Sequence, residues 1–236
     1  MKYTCKSISY FLLMSLALFL LLSCEEENTL TPSRYVINRE YNGHAYVDLG
    51  LPSGLLWAMY NVGATKPEDY GDYFAWGENA TKSTYNWTTY EWCKGSETTL
   101  TKYNTSSSKG TVDNKIVLDL SDDAARVNWG GSWRMATIEE WRELINNCTW
   151  TWTTTQNGVN GQKVVGPNGN SIFLPAAGER WGSGLYNVGD DGYYWSSLYA
   201  DYPGCAWGVD FYSGSVDGWS YLCRYYGLSV RPVCRP

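Results

Sequence analysis

Residues 206–212 alternate between apolar and polar side chains, which is the pattern of a half-buried β-strand. The alternation predicts that Trp207, Val209 and Phe211 are buried on one face of the strand. The residues between them are predicted to lie on the other face: Gly208, Asp210 and Tyr212. One face of this strand is therefore predicted to be scaffold, and the other is free to contact a ligand.

The chain after this strand is rich in Tyr, Ser, Asp and Gly. The predicted exposed set continues through Ser213, Ser215, Asp217, Ser220, Tyr221, Tyr225 and Tyr226. Antibody combining sites have a similar composition, because tyrosine provides a large contact area at low entropic cost. We therefore predict a binding surface in the C-terminal region. The alternative is that these tyrosines only pack a small β domain.

One helix is predicted to begin after Thr137, which can cap its N-terminus while Glu140 completes a capping box. An apolar stripe follows, formed by Trp141, Leu144 and Ile145. The helix should end near Asn146. A second helical turn is predicted over residues 122–127, because its first two residues are aspartates, which suit the positive end of a helix dipole.

Short strands and long loops account for the first half of the domain. Residues 46–49 and 55–58 are predicted to form two strands across a Pro-Ser-Gly turn. Residues 70–103 and 105–114 are rich in Gly, Ser, Thr and aromatic side chains, and they predict long irregular connections.

Asn-Gly pairs predict twisted hairpins in the second half, because this dipeptide readily adopts the turns that join antiparallel strands. The pairs lie at residues 157–158, 160–161 and 168–169. The strands that they punctuate are predicted at 163–165 and 171–175.

The N-terminus has the architecture of an export signal. Lys2 and Lys6 precede an apolar run over residues 11–22, which is too short to span a bilayer. The run ends in Leu-Leu-Ser-Cys, which resembles a bacterial lipobox, so Cys24 is predicted to carry the lipid after removal of residues 1–23. The alternative is a plain secretory signal that is cleaved nearby.

An acidic run, Glu25-Glu26-Glu27, follows the predicted lipidation site. In the Bacteroidetes such a run resembles the signal that sends lipoproteins to the outer face of the outer membrane. Residues 24–40 are also predicted to be a solvated tether, because they lack a periodic apolar pattern. We therefore expect a surface-exposed outer membrane lipoprotein that contacts the membrane through its lipid anchor only.

Charge and composition restrict the partners. Removal of residues 1–23 leaves 16 basic residues against 24 acidic ones, a net charge near −8 with no basic cluster, so nucleic acid is not an expected partner. Aromatic residues make up 16% of the chain, and residues 41–236 are predicted to form one domain.

The cysteines after Cys24 form an odd set, so they do not define a disulfide framework. They are Cys93, Cys148, Cys205, Cys223 and Cys234. Their spacing does not suit zinc, and the one histidine, His44, is predicted to be an ordinary strand residue. We expect no metal site and no cofactor.

Five ordered motifs carry a family resemblance: YVDLGLPSG at 46–54, GSWRMAT at 131–137, FLPAAG at 173–178, YWSS at 194–197 and SVRPV at 229–233. Together they resemble the Fibrobacter succinogenes major paralogous domain family. The resemblance implies an α+β chain with a C-type lectin-like fold, in which one or two helices pack against small, mostly antiparallel sheets with long loops. The fold would support a surface for a protein or glycan ligand.

Some lectin-fold proteins of this kind are targets of diversity-generating retroelements, which rewrite adenines near the 3′ end of the gene. Residues 195–231 resemble such a variable cassette, and the framework residues Trp207, Trp219 and Arg231 look fixed by packing. The resemblance implies these ligand-binding positions: Asp201, Tyr202, Gly204, Cys205, Gly208, Asp210, Tyr212, Ser215, Asp217, Tyr221, Leu222, Cys223, Tyr225, Tyr226 and Leu228. Cys205 and Cys223 would then be products of diversification. The alternative is a constant adhesin or surface-complex module of the same fold.

Calcium-dependent sugar binding is not expected, because residues 128–131 do not supply the Trp-Asn-Asp motif of sugar-binding C-type lectins. Asp190 and Asp191 are carboxylates that suit a cation, but adjacent acids in a Gly-rich loop are more often a solvated turn.

An enzyme is the competing class, since residues 130–133 also resemble part of the formylglycine-generating enzymes. Those oxidases depend on a particular pair of redox cysteines that is not reproduced around Cys223 and Cys234. The sequence has no Ser/His/Asp, metal-histidine or phosphate-loop constellation. We therefore predict a binding protein with no catalytic residues.

Overall fold

The computed structural model describes residues 39–199 and 201–235. Its β-strands pair with one another in the antiparallel direction. The strands form small sheets that are joined by two short helices and long loops, so the chain is an α+β protein as predicted. Cys24, the predicted signal peptide and residues 24–38 of the predicted tether lie outside the described residues.

The elements follow one another in chain order. The first strands and the helices are β1 (Arg39–Tyr41), β2 (His44–Asp48), β3 (Leu56–Ala58), α1 (Ala124–Trp129), β4 (Arg134–Met135) and α2 (Ile138–Asn147). The remaining strands are β5 (Thr149–Gln156), β6 (Val159–Val165), β7 (Ser171–Pro175), β8 (Glu179–Trp181), β9 (Gly184–Tyr186), β10 (Gly192–Tyr199), β11 (Cys205–Tyr212), β12 (Ser215–Cys223) and β13 (Pro232–Cys234).

A five-stranded sheet brings the two ends of the domain together in the order β1-β2-β3-β13-β4. Val233 of β13 faces Trp57 of β3 on one side and Arg134 of β4 on the other. Strand β1 pairs with β2 from Arg39 onward, so Arg39 and Glu40 belong to the folded domain. The predicted tether, which ends at residue 40, is therefore too long by these two residues.

Both predicted helices are confirmed. The Thr137 hydroxyl accepts a hydrogen bond from the Glu140 backbone N–H at 3.2 Å, and the Thr137 N–H donates to the Glu140 carboxylate at 2.9 Å. Helix α1 begins two residues later than predicted, because Asp123 serves as its N-cap and accepts from the N–H groups of Ala125 and Arg126. Neither helix in the described part of the chain has the length and apolarity needed to cross a bilayer.

The strands 46–49 and 55–58 are confirmed as the antiparallel pair β2–β3, and two of the three Asn-Gly turns are also confirmed. Residues 157–158 join β5 to β6, and residues 168–169 lie between β6 and β7. The prediction for residues 160–161 is wrong, because both lie inside β6. A Cβ atom on Gly161 would lie 2.3 Å from the carbonyl oxygen of Leu174, so glycine is needed there for close strand packing and not for a turn.

Long connections dominate residues 59–123, where the regular elements are two three-residue 3₁₀ turns, Glu97–Thr99 and Ser107–Lys109. The buried guanidinium of Arg224 ties these loops to the sheets. It donates to the carbonyl oxygens of Lys102, Tyr103 and Pro203 at 2.9 to 3.1 Å, and to the hydroxyl of Tyr90 at 3.0 Å. One side chain therefore satisfies several backbone acceptors that would otherwise be buried without partners.

Strands β10, β11 and β12 form a three-stranded sheet, which we call the central sheet. Val209 and Phe211 pack on one side of it, in a hydrophobic cluster with Trp141 of α2. Ala206 and Leu222 pack on the other side, in a second cluster that contains Trp76 and Leu228. The central sheet is thus covered on both faces over part of its length, and only its remaining surface is open to a ligand.

Candidate functional site

The strand register separates the C-terminal residues onto two faces of the central sheet. Trp207 faces Tyr221 and Cys205 faces Cys223, whereas Gly208 faces Ser220 and Asp210 faces Asp217. The predicted burial of Trp207, Val209 and Phe211 is confirmed. The register shifts between Gly208 and Asp210, where β12 contains a bulge. Tyr221 therefore lies on the Trp207 side and not beside Asp210.

One open face combines tyrosines with carboxylates, and we call it the tyrosine–carboxylate face: Glu179, Asp191, Tyr193, Asp210 and Tyr226. Tyr193 of β10 lies directly opposite Asp210 of β11. The Tyr193 hydroxyl donates to a carboxylate oxygen of Asp191 at 3.2 Å. A parallel bridge between Gly178 and Gly192 brings Glu179 alongside β10. A further bridge, between Arg180 and Gly227, brings the segment of Tyr226 beside that of Glu179. The face is thus formed by residues from four separate segments of the chain.

Burial and neighbouring negative charges raise the pKa values of two carboxyl groups on this face, those of Asp210 and Glu179. Burial, with the negative charges of Asp217 and Asp191, raises the pKa of Asp210 to about 6. Burial, with the charges of Asp191 and Asp210, also raises the pKa of Glu179. No ion pair to Glu179, Asp191 or Asp210 is formed within residues 39–199 and 201–235. The fold therefore keeps these acids together without a cation to offset their repulsion.

Tyrosine hydroxyls complete the hydrogen-bonding groups of the face. Burial and the charges of Asp191 and Glu179 raise the pKa of Tyr193 to about 12. Burial and the neighbouring Cys223 and Tyr225 raise the pKa of Tyr226. Both phenols stay protonated at neutral pH, so each can donate one hydrogen bond and accept others.

Replacing Asp210 with Asn is expected to stabilise the protein at neutral pH. The folded-state pKa of about 6 lies above the ordinary value of 3.8, so ionised Asp210 opposes folding, and this penalty grows as the pH rises from about 4 to 6. After allowance for solvent screening, we expect Tm to rise by about 2 to 4 °C at pH 7.5. Calorimetry at pH 7.5 and pH 4 should show a smaller difference at the lower pH.

The control for this prediction is Glu139→Gln, which removes the same charge from an exposed site on α2. A Tm at pH 7.5 that falls in Asp210→Asn, or that rises equally in Glu139→Gln, would contradict the repulsion argument.

An aromatic patch lies on the opposite face, and we call it the tryptophan patch: Arg142, Trp207, Trp219 and Tyr221. The Trp207 ring centroid lies 4.8 Å from that of Trp219 and 4.1 Å from that of Tyr221. The Arg142 guanidinium of α2 covers Trp219 at 4.3 Å from its centroid. Trp219 is 42% exposed and Tyr221 is 54% exposed. Trp219 therefore packs against Trp207 and Arg142 and also exposes a large part of its ring to solvent.

The predicted ligand-binding positions fall into three groups. The exposed residues are Asp201, Tyr202, Tyr212, Ser215, Asp217 and Tyr221. The half-buried residues are Cys205, Asp210, Cys223, Tyr225 and Tyr226. Tyr202 lies apart from both faces, because its hydroxyl contacts Glu97 and the Lys109 ammonium group. The predicted positions therefore do not form one continuous surface.

The third group is buried, which does not favour direct ligand contact for its members: Gly204, Gly208, Leu222 and Leu228. Leu222 packs beside Ala206 in the second hydrophobic cluster, and Leu228 forms a bridge with Phe74. A Cβ atom on Gly208 would lie 2.5 Å from Leu222, and one on Gly204 would lie 3.0 Å from Glu97. Alternation along one strand does not reveal that the central sheet is covered on both faces.

Sequence reasoning missed four residues of these surfaces: Arg142, Glu179, Asp191 and Tyr193. Asp191 was assigned to a solvated turn, but it is half-buried and accepts a hydrogen bond from Tyr193. Side chains alternate between the two faces of β10, so Tyr193 points to the face opposite the buried Tyr194. Once β10 is paired with β11, this alternation predicts Tyr193 on the same face as Asp210. Glu179 has no comparable local signal, because a long-range bridge places it.

No cluster of three or more His, Cys, Asp or Glu side chains in the described ranges has the arrangement of a metal site. His44 lies in β2 as predicted, and its ring stacks on Trp129 with a centroid separation of 3.9 Å.

No protein-family model, curated protein or solved structure matches this chain.

Proposed function

We propose that this chain is a surface lipoprotein, anchored through Cys24, whose domain binds a protein or glycan ligand through the tyrosine–carboxylate face. The observation that carries the proposal is the set of half-buried acids, Glu179, Asp191 and Asp210, held beside neutral tyrosines without a neighbouring cation. Such an arrangement does not favour folding, so binding is the better physical reason for it.

The chemistry of the face defines the ligand groups that suit it. Ionised carboxylates accept hydrogen bonds, and bonds to charged groups contribute about 1.5–3 kcal/mol each. Tyr193 and Tyr226 supply flat apolar rings with hydroxyl tips. Sugar hydroxyls, backbone amides and ammonium groups are all donors that would relieve the repulsion between the acids. A glycan or a basic protein segment therefore fits the face, and an anionic ligand does not.

The C-type lectin-like fold is part of the proposal. Its support is the family resemblance of the five motifs, together with the architecture of two helices, small antiparallel sheets and long loops. Diversification is also proposed, limited to exposed positions such as Tyr212, Ser215 and Asp217. The buried positions Gly208 and Leu222 favour the second candidate, a constant face with one fixed partner, because residues there are set by packing.

A binding screen with a charge-neutral variant tests the proposal. The full chain is applied to a glycan array and, in parallel, to an array of basic peptides, and each positive probe is titrated against the double variant Glu179→Gln and Asp210→Asn. We expect affinity to fall by about tenfold or more, because two charge-assisted hydrogen bonds are weakened.

Glu139→Gln is the matched control for this screen, since it removes one carboxylate from α2 and leaves the face intact. Equal affinity of the double variant and the wild type would contradict binding through this face. If Trp219→Ala abolished binding while the double variant did not, the tryptophan patch would be the binding surface instead.

A further inference from the structure

Cys205 and Cys223 face each other across strands β11 and β12. The N–H of Arg224 donates to the carbonyl oxygen of Gly204 at 3.1 Å, so residues 204 and 224 form a hydrogen-bonded pair. Pairs alternate along an antiparallel ladder, and the next pair, Cys205 and Cys223, is therefore a non-hydrogen-bonded one. Such pairs have Cα atoms about 4.5 Å apart, which lies within the range of about 4.4–6.8 Å that disulfides require.

The two thiols also have complementary acidity. The thiol of Cys205 and the hydroxyl of Tyr226 stabilise the thiolate of Cys223 by hydrogen bonding and lower its pKa. The same contact and burial raise the pKa of Cys205. Both cysteines are free and half-buried in the structure. Since the thiolate is the reactive form of cysteine, Cys223 is suited to attack an incoming disulfide first.

We propose that Cys205 and Cys223 are a redox pair that closes into a cross-strand disulfide when the protein meets a small disulfide oxidant or a disulfide-bearing oxidoreductase. The Cys223 thiolate attacks one sulfur of the oxidant, forms a mixed disulfide and releases the other sulfur as a thiolate. Cys205 then loses its proton and attacks the Cys223 sulfur, which releases the second oxidant sulfur. Two electrons pass from the cysteines to the oxidant, which leaves as two thiols.

The disulfide would link strands β11 and β12 covalently, beside the tryptophan patch. Trp207 and Tyr221 form the next non-hydrogen-bonded pair along the same two strands, on the same face as the two cysteines. Closure of the loop between residues 205 and 223 restricts the unfolded chain and fixes the strand register. The disulfide would make Cys205 and Cys223 part of the scaffold. Cys93, Cys148 and Cys234 would remain outside the pair, and no two of these three face each other in the strand pairings of the described residues.

The experiment uses the full chain, purified with reductant and then incubated with excess oxidised glutathione. Free thiols are blocked with maleimide, and the protein is digested on the N-terminal side of aspartate and with trypsin. Cleavage at Asp210 and Asp217 separates Cys205 from Cys223, and cleavage after Arg224 separates Cys223 from Cys234. Mass spectrometry should find these two peptides joined by a disulfide. Tm should rise by about 6 to 12 °C on oxidation, and dithiothreitol should reverse the rise.

Cys205→Ser and Cys223→Ser should each abolish both the joined peptides and the rise in Tm, whereas Cys93→Ser should retain them. Reduced forms of all variants are melted first, so that a folding defect is measured separately from loss of the disulfide. A different pairing, only intermolecular dimers, or a rise in Tm that persists in Cys205→Ser would overturn the proposal.

Discussion

Replacing Arg231 with Met is expected to reduce the free energy of unfolding by about 3 to 5 kcal/mol. The guanidinium is fully buried and donates to Asn61 Oδ1 at 2.8 Å, to the Ala58 carbonyl oxygen at 3.0 Å and to the Phe173 carbonyl oxygen at 2.8 Å. Burial lowers the pKa of Arg231 to about 10, so the side chain still carries its charge at neutral pH. Methionine fills similar space but leaves three buried acceptors without donors.

Urea unfolding of the two variants Arg231→Met and Arg235→Met measures this effect. Arg235 is exposed and lies four residues along the same segment, so its replacement should change stability by less than about 0.5 kcal/mol. Similar unfolding midpoints for the two variants would mean that the Arg231 hydrogen bonds do not hold these segments together. The distinction matters because Arg231 joins β3, β7 and the C-terminal strand in one network.

The sequence was most informative where local interactions decide the structure. Helix α2 follows from Thr137 and Glu140, whose capping interactions involve only neighbouring residues. The turn at residues 157–158 follows from the left-handed conformation that Asn and Gly adopt, with φ angles of 50° and 79°. The burial of Trp207, Val209 and Phe211 follows from strand alternation, because one side of the central sheet packs on α2.

The errors arose where distant segments decide the environment. The resemblance implied a ligand-binding position at Leu222, but this side chain is buried in a second cluster that covers that side of the sheet. Tyr221 was grouped with Asp210, but the bulge in β12 moves it to the opposite face. Glu179 escaped notice because the bridge between Gly178 and Gly192 places it beside Asp191 and Tyr193. These contacts join residues that no local pattern connects.

Replacing Gly208 with Asp is expected to destabilise the domain by more than about 3 kcal/mol. A Cβ atom at this position would lie 2.5 Å from a methyl carbon of Leu222 and 2.8 Å from the carbonyl oxygen of Tyr194. The Leu222 side chain can move, but the Tyr194 oxygen belongs to the backbone of the neighbouring strand. Aspartate would also bring a carboxylate into a buried position, which costs free energy by desolvation. Measurement of the free energy of unfolding in urea tests the prediction.

The matched control is Ser215→Tyr, at an exposed position on the same hairpin, which should change stability by less than about 0.5 kcal/mol. The difference between the buried position 208 and the exposed position 215 can also be tested in natural gene sequences, because a diversified cassette can vary only where the fold accepts new side chains. In the 3′ ends of the gene from several isolates, we expect residue 208 to stay glycine even if residues 212 and 215 differ. Variation at 208 among folded, displayed proteins would contradict the packing of the central sheet, and an invariant hairpin would favour the constant-partner module over diversification.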